Sequence, residues 1–226
     1  MTALKFDAVL FDCDGVLVDS EPITNGVLRD MLDEEGWALS PAECMRLFVG
    51  KAVKDEVAVI EAKTGRIIDE AWMVQFRERR DVGLRARLQA IDGAADVVAA
   101  MNVRYSGRIA CASGADRAKV VLQLAMCGLM PYFDGRIFSG YEQPRSKPFP
   151  DVYLAAAAAL GADAKRCAVI EDSVTGVLAG VAAGATVFGF CPSFGTLDHA
   201  HSSPAALMGA GAAQVFSNMA MLAELL

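Results

Sequence analysis

Basic side chains are the first shortage in this chain. Its 21 lysines and arginines stand against 28 aspartates and glutamates, for a formal net charge of −7. A nucleic-acid or anionic-membrane partner needs a basic face to neutralise its charge, so both are excluded as main partners. A small phosphorylated metabolite stays compatible, because a metal ion and a few basic groups set the local field. Histidine is scarcer still. His199 and His201 form an H-x-H, but no cysteine or third histidine stands beside them to complete a transition-metal set, so they are read as part of a surface loop. None of the six cysteines (Cys13, Cys44, Cys111, Cys127, Cys167, Cys191) belongs to a C-x-x-C pair. Four lie in or beside expected strands, where a thiol behaves as a small core residue. All six are read as reduced, as in a cytoplasmic protein. No secretory leader is visible, since the chain enters its first strand with only Lys5 as a charge ahead of it. Internal repeats are lacking too, and so is low-complexity sequence beyond Ala155 to Ala159.

One stretch lacks charge altogether, between Asp172 and Asp198, and so imitates a membrane span. Gly176, Gly180, Gly184, Gly189 and Pro192 break it, and it changes from an alanine-rich helix pattern to the β-type run Ala185 to Phe190. A helix packed on a sheet, then a strand buried on both faces, accounts for it without lipid.

What is present is an apolar fraction of 54% in 226 residues, ample for a large core. The periodicity predicts a strand over Phe6 to Phe11. From Ser20 to about Leu88 everything reads helical, with Ile23, Val27, Met31 and Leu32 on one apolar face. Alternation then resumes: helix Ala94 to Met101, strand Arg108 to Ala112, helix Ala115 to Cys127, strand Arg136 to Ser139 and helix Pro150 to Leu160. Strand Cys167 to Ile170, helix Val174 to Ala183, strand Ala185 to Phe190, and a terminal strand and helix from about Gln214 complete it. Strands alternating with helices imply a doubly wound parallel sheet.

Polar groups stand where the expected strands end. Asp12-Cys13-Asp14-Gly15 follows the first strand, Ser113-Gly114 follows Ile109 to Ala112, Glu171-Asp172-Ser173 follows Ala168 to Ile170, and Lys147-Pro148 lies between. Alone, each has an ordinary explanation. A D-x-D-G can be a polar turn, Ser113 and Ser173 can cap the helices after them, and Lys147 can be a solvated loop lysine. Together they converge, because the carboxyl ends of parallel strands line one crevice. Crowded carboxylates repel unless a hard cation sits among them, and oxygen donors with a few waters suit Mg²⁺. The cation, Lys147 and Ser113 then neutralise a phosphate, which makes this a phosphoryl-transfer site with an aspartate nucleophile.

On these residues the chain resembles the haloacid dehalogenase superfamily phosphatases, in the subgroup whose helical cap is inserted just after the first strand. All four motifs occur in order, and the likeness spans nearly the whole chain. The resemblance implies an α/β fold with a Rossmann-like core of residues 1–17 and 90–226 and an all-helical cap of residues 18–89. It also implies that Asp12 attacks phosphorus, and that Asp14 protonates the leaving oxygen and then activates water. That division asks for an ionised Asp12 and for an Asp14 whose surroundings raise its pKa. Gly15 is expected to let the backbone turn under the phosphate. Ser113 and the Gly114 amide are expected to bind its non-bridging oxygens, with Lys147 bridging it to Asp12. Mg²⁺ is expected among Asp12, Asp14 and Asp172, with Glu171 on a metal-bound water.

The cap is expected to close over the site about linkers near Val16 to Ser20 and Leu88 to Gly93. Gly50 and Lys51 occupy the position of a substrate-recognition loop in related proteins, with Lys54 nearby; a solvated turn is the plain alternative. Arg77, Arg79 and Arg80 are read as mostly solvent-facing. A β-phosphoglucomutase-like enzyme is the alternative within the superfamily, but its pattern has a histidine where this chain has Thr24, a cap arginine at Val53 and a lysine at Asp116. The segments Phe138 to Glu142 with Lys147-Pro148, and Phe188 to Cys191, resemble bacterial sugar-phosphate phosphatases of the 6-phosphogluconate type. A dehalogenase uses its nucleophile without Mg²⁺ and has no need of Asp14 and Asp172 together. A phospho-accepting signalling module is the alternative from another class, yet such modules are about half this length and lack a helical insertion.

Overall fold

The computed structural model describes residues 4–192 and 203–226. His199 and His201 lie outside them. Strand β1 (Ala8–Phe11) is buried along its whole length, as a central parallel strand requires. The chain then leaves the sheet for four helices: α1 (Glu21–Glu34), α2 (Pro41–Phe48), α3 (Val57–Thr64) and α4 (Glu70–Arg87). Local chemistry sets their starts. Ser40 and Glu43 form a reciprocal capping box at α2, and the Asp69 carboxylate accepts from the Trp72 amide at α4, 2.9 Å. Leu28, Met31, Leu32, Phe48, Trp72 and Phe76 bury one another in a hydrophobic cluster separate from those of the sheet.

Back at the sheet, α5 (Ala94–Arg104) leads into β2 (Ile109–Ser113), α6 (Arg117–Met126), the single turn α7 (Met130–Phe133) and β3 (Ile137–Ser139). The chain continues through α8 (Asp151–Ala159), β4 (Cys167–Glu171), α9 (Val174–Ala182) and β5 (Thr186–Phe190). It finishes with α10 (Pro204–Gly209), β6 (Gln214–Phe216) and α11 (Leu222–Leu225). The strands lie in the order β3-β2-β1-β4-β5-β6, all parallel. Successive side chains on a strand face opposite ways. Val9, Phe11, Ile109, Cys111, Ala168 and Ile170 therefore pack on one face with α5 and α6, while Ala8, Leu10, Ala110, Ala112, Cys167 and Val169 pack on the other with α8 and α9. This is the doubly wound α/β fold with an inserted helical module. Its order reverses between β1 and β4, which opens a crevice at their carboxyl ends.

The two connections to the helical module hydrogen-bond to each other. Val18 and Ala90 form an antiparallel bridge, the Asp19 amide donates to the Gln89 carbonyl at 2.9 Å, and the Ile91 amide donates to the Leu17 carbonyl at 3.0 Å.

Two boundaries differ from expectation in ways that touch the site. Strand β2 runs through Ser113, and α6 starts at Arg117 with Asp116 as its cap, so Ser113 does not cap that helix. Helices α7 and α10 were not anticipated. Both are short and led by proline, in stretches whose composition reads as loop. The uncharged stretch becomes α9 and β5, and among the described residues no helix is long and apolar enough to cross a membrane. Five of the six cysteines are buried, and among the described residues no disulfide joins them.

Candidate active site

Asp12 follows β1 directly, and Asp14 comes two residues later, with Cys13 between them turned into the core. Gly15 has φ +72°, and a Cβ there would overlap the Asp172 carboxylate. Only glycine lets the β1 loop pass so close beneath the residue that follows β4. Ser113 ends β2 and Gly114 follows it, Lys147 comes from the loop before α8, and Glu171 is the last residue of β4. These groups meet at a pocket between the strand ends and the helical module that opens to solvent. Asp12, Asp14, Ser113, Gly114, Lys147 and Asp172 line it from the sheet side, and Glu21, Thr24, Asn25, Gly50, Lys51 and Arg80 from the helical side.

Lys147 is the buried hub. Its Nζ lies 2.7 Å from Asp12 Oδ1 and 2.6 Å from Glu171 Oε1, and Tyr153 donates its hydroxyl proton to the same Glu171 oxygen at 2.8 Å. Burial alone would lower the lysine's pKa, but Asp12 and Glu171 hold it well above the usual range. Burial pushes the Asp12 carboxyl up to about 7 against the pull of Lys147, with Glu171 and Asp14 adding repulsion. Asp172 is raised as well, by burial first and then by Glu171 and Asp12. Such carboxylates are poorly compensated by protein cations alone.

Asp12, Glu171 and Asp172 each offer a carboxylate oxygen within 4.8 Å of the others, and an all-oxygen donor set fits a hard divalent ion. The three are not equal donors. Glu171 Oε2 already accepts from the Asp172 amide, the Ser173 amide and the Ser173 hydroxyl, each at 3.0 Å, while its Oε1 serves Lys147 and Tyr153. Asp12 and Asp172 are therefore the carboxylates suited to direct contact, with Glu171 one layer behind. The Asp14 carboxyl is not part of this group.

Asp14 departs from expectation. Its surroundings were expected to raise its pKa, yet its Oδ1 accepts from Ser20 Oγ, from Gln123 Nε2 at 2.8 Å and from Lys119 Nζ at 2.7 Å. Burial favours the neutral acid, but Lys119 and the two hydrogen bonds outweigh it and bring Asp14 down to about 2. The sequence reading missed Lys119 because it is the third residue of a helix whose first turn reads as solvated. Lys119 and Gln123 are one turn apart on the face that carries Val120 and Leu124 into the core, and that pairing was the available signal.

Ser113 Oγ accepts from the Ala115 amide at 3.1 Å and faces the pocket. Ser173 caps α9 through the Gly176 amide, 3.1 Å, while also holding Glu171, so capping and site-building coexist. Gly50 accepts from Thr175 Oγ1 at 2.8 Å, tying the loop after α2 to the start of α9. Lys51 reaches the pocket rim and pairs with Glu56 at 3.3 Å, and Lys54 stands 3.9 Å over the Tyr141 ring. Arg77 and Arg79 pair with Glu70 and Glu34 at the surface, as expected. Arg80 is the exception: it is 4% exposed, inside the pocket wall, and bonded to Asp116 at 2.7 Å. Glu21 is pushed up to about 7 by burial and by Asp14, and the Thr24 hydroxyl is buried with no hydrogen-bond partner.

Gly176 shows how tightly the Glu171 carboxylate is enclosed, since a Cβ there would overlap it. Gly176→Ala should lower stability by about 2 kcal/mol, read as a shift in the denaturant midpoint. A variant as stable as the parent would mean that Glu171 is free to move.

The haloacid dehalogenase-like hydrolase family model matches residues 6–184. The 6-phosphogluconate phosphatase of Escherichia coli (strain K12) is 31% identical over 189 residues, covering 83% of this chain and 83% of that protein. Among solved structures, a HAD family hydrolase from Deinococcus radiodurans R1 with bound phosphate and sodium is 36% identical, with a TM-score of 0.74 over 99% of this chain and 96% of that one. A conserved haloacid dehalogenase-like protein from Agrobacterium tumefaciens str. C58 is 32% identical, with a TM-score of 0.79 over 97% of each chain. A family match over most of the chain, on a fold shared end to end, means that this protein belongs to the haloacid dehalogenase-like hydrolases and is an enzyme of their phosphoric monoester hydrolase type.

Proposed function

We propose that the enzyme is a Mg²⁺-dependent phosphatase of a small phosphorylated metabolite, a sugar phosphate or sugar-acid phosphate such as 6-phosphogluconate, working through an aspartyl phosphate on Asp12. The observation that carries this is the convergence of Asp12, Lys147, Ser113 and Asp172 on one pocket. The substrate class rests on the 6-phosphogluconate phosphatase relative. Residues 1–17 and 90–226 act as the core and residues 18–89 as the cap.

Asp12 and Asp172, with Glu171 behind them, would hold a divalent cation, which would supply charge neutralisation to the phosphate. Lys147 and Ser113, with the Gly114 amide, bind the non-bridging oxygens. The Asp12 carboxylate attacks phosphorus, the ester P–O bond breaks, and the leaving oxygen takes its electron pair together with a proton from Asp14. Asp14, again a carboxylate, removes a proton from water as that water attacks the phosphoryl group. The bond to Asp12 then breaks and inorganic phosphate leaves. In the free enzyme Lys119 keeps Asp14 ionised. The dianionic ester adds negative charge beside it and raises its proton affinity, so the acid form belongs to the substrate complex.

The test is phosphate release from 6-phosphogluconate, hexose and pentose phosphates, phosphoglycolate and a nucleotide, each with Mg²⁺ and with a chelator. We expect many turnovers with Mg²⁺, a sugar or sugar-acid phosphate as the best substrate, and loss of activity on chelation. Uptake of one phosphoryl group without turnover would favour a phospho-acceptor instead.

A further inference from the structure

We propose that Arg80 of α4 is a positioning residue for Asp14, acting through Asp116 and Lys119, so that the helical module completes the acid/base end of the site; this rests on the phosphatase reading above. Two cations, Arg80 and Lys119, meet the carboxylates of Asp14, Asp81 and Asp116 here, with Glu21 also near Lys119, and the structure shows one particular pairing of them. Asp116 divides its oxygens. As the cap of α6, its Oδ1 accepts from the Lys119 amide at 2.9 Å, while its Oδ2 takes Arg80 Nη1 at 2.7 Å. Arg80 is fixed from its other side by Asp81 Oδ1, 2.9 Å from Nε and 2.8 Å from Nη2. With Asp116 neutralised by Arg80, the Lys119 ammonium is left to Asp14 Oδ1 at 2.7 Å. Ser20 and Gln123 hold the same oxygen. All three donors thus grip Oδ1, and Oδ2 is the oxygen left to exchange a proton with the leaving group or water.

Without Arg80 that pairing loses its reason. Asp116 stands three residues before Lys119 on the same helix, the spacing at which opposite charges attract each other. Its freed carboxylate would compete with Asp14 for the ammonium, and Asp14 would lose the charge-assisted contact that orients it. Because Arg80 comes from α4 and Asp116 from the start of α6, this link spans the interface between the helical module and the sheet side.

Leaving-group chemistry tests this. An alkyl ester needs a proton delivered to its departing oxygen, whereas p-nitrophenolate leaves without one. In Arg80→Met, kcat/KM on 6-phosphogluconate, which covers the steps up to departure of the leaving group and not the water attack common to both esters, should fall about 10-fold to 100-fold further than kcat/KM on p-nitrophenyl phosphate, a share of the usual general-acid contribution. Adding Asp116→Asn removes the competing charge but keeps a helix cap, so Arg80→Met/Asp116→Asn should recover part of the lost alkyl-ester activity. That recovery also serves if Arg80→Met alone folds poorly. Equal losses on both esters, or a double variant no better on 6-phosphogluconate than Arg80→Met, would overturn the inference. A parent enzyme active on p-nitrophenyl phosphate but not on 6-phosphogluconate redirects the comparison to glucose 6-phosphate with the same two criteria. A parent inert toward all three esters sinks the phosphatase reading, and this inference with it.

Discussion

Asp12→Asn should abolish turnover, by about 10⁴-fold or more on the scale of lost nucleophiles, and should leave the fold intact. The amide cannot attack phosphorus, so no aspartyl phosphate forms. The structural consequences are small because the residue is already crowded. Asp12 is buried and repelled by Glu171 and Asp14, which together with burial push it up to about 7. A neutral amide of the same shape relieves that repulsion, and Lys147 keeps its 2.6 Å contact with Glu171. Phosphate release with Mg²⁺, alongside a thermal melt, checks both halves. Substantial activity in Asp12→Asn would falsify the nucleophile assignment, and collapse of the fold would show that Asp12 is needed structurally.

Lys147→Met should have the largest effect on stability, a loss of about 3–5 kcal/mol from stranding buried carboxylates without their partner. Lys147 is 5% exposed in its side chain, Glu171 is fully buried, and Asp12 is nearly so. Removing the ammonium leaves Glu171 with donors from Tyr153, Ser173 and the Asp172 amide but no opposing charge, and leaves Asp12 beside two other carboxylates. Activity should vanish as well, because the same ammonium is the fixed positive charge beside the attacking oxygen. The two losses separate in Lys147→Met/Glu171→Gln. Removing one stranded charge should recover much of the stability and none of the turnover. Denaturant midpoints taken with a chelator, so that no divalent ion substitutes for the lysine, read the stability. A single variant within 1 kcal/mol of the parent would mean that solvent reaches these carboxylates after all.

Much of the geometry was legible in the chain because it depends on near neighbours and on one general rule. Asp12, Ser113 and Glu171-Asp172 each stand at the end of an apolar run, and a parallel sheet brings such ends to one edge whatever the loops do. The helical character of α1 to α4 was equally local. It rests on apolar spacing, the Ser40–Glu43 capping box and the Asp69 cap. The proline-led turns α7 and α10 were missed for the converse reason, since they exist through packing against the sheet rather than through any period of their own.

The sequence by itself determined the α/β alternation, the helical insertion and the order in which polar groups reach the strand ends, because strand burial and helix capping are written in residues a few positions apart. Only the tertiary structure decided how the charges pair. Lys119 meets Asp14 across 105 positions and Arg80 meets Asp116 across 36. Both contacts exist because helices dock on a sheet edge, which no local pattern encodes. The same pairing set the direction of Asp14, whose carboxyl reads from its motif as an acid to be raised and is instead held down to about 2 by a lysine that folding carried to its side. Electrostatic energy depends on distance and burial, and both are properties of the packed molecule.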